Sequence, residues 1–204
     1  MRIAASPIPD LKIIMASGTL IVIAAPSGCG KTTIAKAILA KYPAMFFSVS
    51  ATTRQIRNGE VNGKDYFFLT KAEFEERIRV GDLVEWEEIY GNYYGTLKSE
   101  IRRALQQGCL MLFDVDVKGA LSIRRHFPND SILIFIEPPS FEVLKKRLER
   151  RNTENPETMK LRLERVPMEM EKGQYFDFQV VNDDLQKAVD EVDKIVRTNI
   201  KTSS

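Results

Sequence analysis

The sequence predicts an α/β protein, a mostly parallel sheet flanked by helices, with an inserted segment of mixed α+β character. Three observations lead there. Short apolar runs at 20–25, 110–115, 132–136 and 179–181 read as buried parallel strands. Helical patterns at 32–41, 97–107, 117–126, 140–151, 156–172 and 184–197 lie between and after them, and such alternation is the mark of a parallel sheet. Residues 50 to about 95 break this rhythm with a polar, aromatic stretch.

Residues 1–17 read as a loose extension, since Pro7 and Pro9 interrupt it and no continuous apolar stretch of a secretory signal is present. Met15 begins MASGTL and offers a second candidate start. The core then opens with LIVIAA at 20–25, turns through PSGCG, and continues in the helix-forming run TIAKAILAK at 33–41. A short strand at 46–49 brings the core sheet to five. Within 50–96, Gly59, Gly63, Gly81, Gly91 and Gly95 punctuate β-like pieces at 66–69 and 83–90 and one helix near 71–80. Trp86 and the many Phe residues are read as packing. The core resumes at 97–146, passes two charged helices joined by an irregular piece at 152–156, and finishes in 174–204. His126, before Phe127 and Pro128, reads as a helix C-terminal residue.

Composition bounds the function. The 204 residues are 44% hydrophobic and 28% charged, enough for one domain with a real core. Lys and Arg number 30 against 28 Asp and Glu, a formal charge of +2, which argues against a general nucleic-acid binder. No apolar stretch approaches the roughly 18 residues of a membrane span. Cys29 and Cys109 suggest neither a metal site nor a disulfide framework, so a cytoplasmic location fits. A homo-oligomer is left open.

The run LIVIAAPSGCGKT at 20–32 carries the clearest chemistry. It follows the phosphate-binding template G-x-x-x-x-G-K-[ST], with Ala25 in place of the first Gly. Backbone N–H groups of Ala25, Pro26, Ser27, Gly28, Cys29, Gly30, Lys31, Thr32 and Thr33, Pro26 excepted, are placed to curl around phosphate oxygens. Lys31 brings a cation to the β- and γ-phosphates, and the Thr32 hydroxyl can ligate Mg²⁺. An ATP- or GTP-binding P-loop of the NTPase type follows. Cys29 has two readings of equal weight: a reactive thiolate favoured by the helix N-terminus and Lys31, or a small apolar filler turned into the core. Asp114, at the end of the strand 110–115, is placed like a carboxylate near Mg²⁺.

The insertion opens with Ser50-Ala-Thr-Thr-Arg54-Gln-Ile-Arg57-Asn-Gly59-Glu60-Val-Asn-Gly63-Lys-Asp-Tyr66, and later carries Glu85-Trp86 and Tyr94-Gly95-Thr96. Arg54, Arg57 and Tyr66 offer forked donors and a hydroxyl suited to a monophosphate, or else two solvated loop arginines. Guanine presents two adjacent donors and an O6 acceptor, so a carboxylate facing hydroxyls would discriminate it from adenine. Taken alone, Glu85 reads as an exposed strand residue.

Together with the P-loop and Val181-Asn182-Asp183-Asp184, these residues closely resemble the guanylate kinase family from about Gly18 to the last helix. The resemblance implies ATP:GMP phosphotransfer, with ATP and GMP as substrates, dGMP as a further acceptor, and Mg²⁺ as cofactor. It implies a core of 18–49, 97–146 and 174–204, a GMP-binding insertion at 50–96, and a helical lid at 147–173. It assigns the GMP phosphate to Arg54, Arg57, Tyr66 and Tyr94, the base to Glu85, Ser50 and Thr96, and an acceptor-side role to Asp116. Asp116 also reads as a cap on the following helix. Thr32 and Asp114 are the implied metal residues, and Asn182 resembles a position that meets adenine. Lys31, Arg57, Arg151 and Arg162 are the implied catalytic cations, with Arg147 a weaker candidate and the other helix arginines read as solvated. Arg150 and Asn152 stand where many relatives carry Gly, and Lys118 where many carry Gln. The alternative is a catalytically inactive binding module of the same fold, but such modules typically lose phosphate-site residues that this chain keeps.

Overall fold

The computed structural model describes residues 18–89, 91–150 and 156–200. The extension 1–17, with Arg151 and Asn152, lies outside them. Two sheets organise the chain.

The first is built from β1 (Thr19–Ala24), β2 (Phe46–Phe47), β7 (Leu110–Asp114), β8 (Ser131–Glu137) and β9 (Phe178–Val181), ordered β2-β7-β1-β8-β9 and parallel throughout. Side chains alternate across a strand, and β1 shows the result. Ile21 and Ile23 pack on one face with Ile34 and Ile38 of α1 (Lys31–Lys41) and Val189 and Val192 of α7 (Leu185–Asn199). Leu20, Val22 and Ala24 pack on the other with Ile101 of α3 (Lys98–Gln106) and Ile123 of α4 (Val117–His126). Both faces are therefore covered, as a parallel sheet of continuous apolar strands requires. α5 (Phe141–Arg150) and α6 (Pro156–Gly173) join the α1 face through Leu144, Leu148 and Val166.

The second sheet is mixed, ordered β4-β3-β6-β5, from β3 (Ala51–Thr52), β4 (Phe67–Phe68), β5 (Leu83–Ile89) and β6 (Asn92–Leu97). Phe74 of α2 (Lys71–Arg79) fills its small core with Ala51, Leu83 and Leu97. A capping box starts α2, in which the Thr70 hydroxyl accepts from the Glu73 amide while Glu73 accepts from the Thr70 amide at 2.7 Å. Ser122 Oγ of α4 donates to the Val84 carbonyl at 2.7 Å, tying this sheet to the core.

Several elements differ from expectation. β3 and β6 were not expected: the first has only two residues, and the second carries Gly95, a residue depleted in strands. β2 ends at Phe47, and Phe46 and Phe47 face outward because it is the sheet's edge. Trp86 is 45% exposed, leaning edge-on against Tyr93 rather than filling a core. Among the described residues no helix is long and apolar enough to cross a membrane.

Candidate active site

The donor end lies at the C-terminal edge of the parallel sheet. Pairing of β1 with β7 in register Ile23↔Asp114 sets the Asp114 carboxylate beside the loop that leaves β1. That loop needs left-handed backbone at Gly28 (φ 94°) and Gly30 (φ 83°), and both positions carry glycine. Gly30 caps α1 without a side-chain bond, and the first turn of α1 has no acidic residue. The start of α1 lines a cleft, and a helix N-terminus with no carboxylate in its first turn suits an anion.

Lys31 Nζ donates to the Val115 carbonyl at 2.6 Å and lies 2.7 Å from Asp114 Oδ1. Thr32 Oγ1 donates to Asp114 Oδ2 at 2.7 Å. One carboxylate therefore holds both the P-loop cation and its hydroxyl. The cleft above them has a volume of about 350 Å³, and all of 25–33 line it together with Asp116, Arg162, Arg165 and Glu169. Arg162 Nη1 donates to Ser27 Oγ at 2.8 Å, so α6 closes directly on the loop.

Asn182, the residue that resembles an adenine-meeting position, is 5% exposed, and its amide nitrogen donates to the Cys29 carbonyl at 2.7 Å, so it also braces the P-loop. Cys29 is likewise the core filler. It is 1% exposed, and burial pushes its thiol up to about 12, against the opposing charges of Arg147 and Lys31.

The residues expected at the acceptor end lie on and around the second sheet. Arg54 lies 5.3 Å above the Tyr66 ring and 5.6 Å above that of Phe68, and the Tyr66 and Tyr94 rings meet edge-on at 6.2 Å. Three of the four residues expected on the monophosphate are thus together. Arg57 is exposed and enters through its backbone, which donates to Glu60 Oε2 at 2.7 Å. Ser50 leads into β3, its carbonyl bonded to the Phe67 amide.

Thr96 Oγ1 donates to Glu85 Oε1 at 2.9 Å. Burial pushes the Glu85 carboxyl above its ordinary range, with the Thr96 bond opposing and the charge of Asp116 reinforcing. A register shift between Leu83 and Trp86 aims Glu85 at Thr96, and Gly95 makes room for it: a Cβ there would stand 2.7 Å from the Glu85 carbonyl oxygen.

Asp116 joins the two ends. It caps α4 by accepting from the Gly119 amide at 2.8 Å, which bears out the capping role, while its other oxygen lies 3.5 Å from Arg165. It lines the P-loop cleft and its charge is felt at Glu85.

Three residues had no site role assigned from sequence. Glu60 grips Arg54 from within the Gly59–Gly63 turn. Arg165, read as solvated, lies one turn beyond Arg162 on the cleft face of α6, and Glu169, 6% exposed, follows at 3.7 Å from it. Burial pushes Glu169 upward, against the pull of Arg165. The spacing 162, 165, 169 on one helix was the signal available for the last two.

Comparison with known proteins agrees with this geometry. The Guanylate kinase family profile matches residues 17–199. The guanylate kinase of Chlorobium luteolum is 50% identical over 175 residues, covering 86% of this chain and 89% of that protein. That of Salinibacter ruber is 49% identical over 178 residues, covering 87% and 94%. The crystal structure of guanylate kinase from Anaplasma phagocytophilum superposes with a TM-score of 0.66 at 28% identity, covering 93% of this chain and 89% of that one. With a P-loop on one sheet, a carboxylate–hydroxyl pair and an arginine–tyrosine cluster on the other, and these relatives along nearly its whole length, the chain belongs to the guanylate kinase family.

Proposed function

We propose that this chain transfers the γ-phosphoryl group of ATP to GMP, and to dGMP, which offers the same base and phosphate. The observation that carries the reading is the second sheet: it holds a half-buried carboxylate bonded to a hydroxyl, and with it an arginine over the rings of Tyr66 and Phe68, Tyr94 standing edge-on to Tyr66. These are the two ends of a purine monophosphate site. The free oxygen of Glu85 accepts from the guanine donor edge, with Thr96 and Ser50 supplying hydroxyls, while Arg54, Arg57, Tyr66 and Tyr94 hold the phosphate.

ATP occupies the P-loop cleft, and Lys31 exchanges Asp114 and the Val115 carbonyl for phosphate oxygens. Charge spreads over the γ-oxygens during transfer, and Lys31 with Arg162 and Arg151 stabilises it without proton chemistry. Segment 147–173 serves as the lid that brings these arginines in and excludes water, which would otherwise hydrolyse ATP. Thr32 and Asp114 are adjacent hard oxygen donors and fit Mg²⁺, which binds through few protein ligands and substrate phosphates. When bound, the ion neutralises phosphate charge. We place the enzyme in the cytoplasm, where its nucleotides are. An inactive module has no support here, because Lys31, Thr32, Arg54, Arg57 and Asp114 are all kept.

Lys31→Met tests the donor half. Turnover in a coupled ADP assay falls below about a tenth of wild type, because the cation that Lys31 brings to the γ-phosphate is lost. GMP binding by calorimetry persists, because Lys31 belongs to the donor end. Turnover above that level, or loss of GMP binding, contradicts the assignment.

A further inference from the structure

A carboxylate stands inside the proposed phosphate cradle, where an anion would be expected to repel the ligand. Glu60 Oε1 accepts from Arg54 Nη2 at 2.7 Å, and Oε2 accepts from Nη1 at 3.1 Å. Oε2 also accepts from the Arg57 amide at 2.7 Å. The second hydrogen of Nη1 goes to the Gln55 carbonyl, again at 2.7 Å. These bonds hold the Glu60 carboxyl below its ordinary range, Arg54 first and the Arg57 amide second.

Counting hydrogens on Arg54 gives the consequence. A guanidinium has five N–H groups arranged on two forked edges. The end-on edge, Nη1 with Nη2, is occupied by Glu60. The side-on edge, Nε with the remaining hydrogen of Nη2, has no acceptor among the described residues. Both forks match a carboxylate or a phosphate, but one guanidinium plane can hold one partner on each. The rings of Tyr66 and Phe68 against Arg54 limit its movement. The Gly59 turn (φ 88°), with the Glu60 amide donating back to the Arg57 carbonyl at 3.1 Å, fixes Glu60 itself.

We propose that Glu60 is a positioning residue: it takes the end-on edge of Arg54 so that the side-on edge is presented to the acceptor phosphate. Glu60 does not touch the phosphate. It acts through Arg54, and the inference rests on the assignment of Arg54 to the GMP phosphate. The opposite role is a carboxylate plug that GMP must displace, and the two predict opposite signs.

Glu60→Gln, Arg54→Lys and the double variant decide between them, with steady-state kinetics in both substrates and a thermal melt for each protein. Glu60→Gln raises KM for GMP about tenfold or more, while kcat at saturating GMP and KM for ATP stay within about twofold. Glu60→Asp keeps the charge but withdraws it by one methylene, and also raises KM for GMP; it serves if Glu60→Gln does not fold. Because Glu60 acts through Arg54, adding Glu60→Gln to Arg54→Lys changes KM by less than about threefold. An unchanged or lowered KM in the Glu60 variants overturns the proposal, as does a full tenfold effect in the Arg54→Lys background. If Arg54→Lys itself leaves KM for GMP unchanged, the phosphate assignment of Arg54 has failed, and the role of Glu60 falls with it for that separate reason.

Discussion

Whether a cysteine reacts depends on a balance between local field and access to solvent. At Cys29 the helix N-terminus, Arg147 and Lys31 favour thiolate, yet burial outweighs them and pushes the thiol up to about 12. Cys109 is half-buried just before β7, with no comparable enclosure. Iodoacetamide at pH 8 followed by peptide mapping is therefore expected to label Cys109 first, with Cys29 labelled only on unfolding and kinase activity retained. Labelling of Cys29 in the native protein at a rate equal to that of Cys109 would refute this. The same balance separates what was legible at this scale. Lys31 and Thr32 were legible from the residues themselves, because their chemistry is tied to strict spacing after Gly30, whereas Arg54 and Glu85 were legible only through the resemblance, since alone one reads just as well as a solvated loop arginine and the other as an exposed strand residue. The roles of Glu60 and Glu169 were not legible, nor was the bond from Asn182 to the Cys29 carbonyl, since each depends on a partner the chain supplies from elsewhere or across a turn.

At the scale of elements, the position of Glu85 depends on a glycine in the neighbouring strand. β5 shifts register opposite Gly95, and a Cβ there would meet the Glu85 carbonyl oxygen at 2.7 Å, Trp86 Cβ at 3.0 Å and Phe74 Cζ at 3.2 Å. Backbone cannot yield as a flexible side chain can, so Gly95→Ala must push β5 away and carry Glu85 off Thr96. We expect a loss of about 1–3 kcal/mol in stability from overpacking. KM for GMP should rise about tenfold with KM for ATP little changed, because the P-loop stands on the other sheet. Melting curves and a two-substrate titration check both, and a variant with wild-type KM for GMP would contradict the link between bulge and base site. Helices and core strands were legible from long apolar periods, whereas β3 and β6 were not. Two residues cannot show a period, and the residues of β6 read as ligand contacts rather than as a strand.

On the scale of the whole molecule, two sheets share the work, and the Ser122–Val84 bond joins them, while Asp116 lines the P-loop cleft with its charge felt at Glu85. The three-layer core was legible because buried parallel strands are apolar on both faces, as β1 is. The order β2-β7-β1-β8-β9 was not, since an apolar run carries no label for its neighbour. The central claim is that this arrangement reads guanine through Glu85 and passes a phosphoryl group to the nucleotide so held. It is tested most directly by kcat/KM for GMP and for AMP, in wild type and in Glu85→Gln, at a pH above the raised range of the Glu85 carboxyl. AMP would leave the free oxygen of the half-buried Glu85 carboxylate without a donor, so wild type should prefer GMP by at least about a hundredfold. In Glu85→Gln the amide opposes a guanine donor, and the preference should narrow by about tenfold or more through loss of GMP activity. A wild type that uses AMP as well as GMP, or a GMP/AMP ratio unmoved by the substitution, would contradict the account.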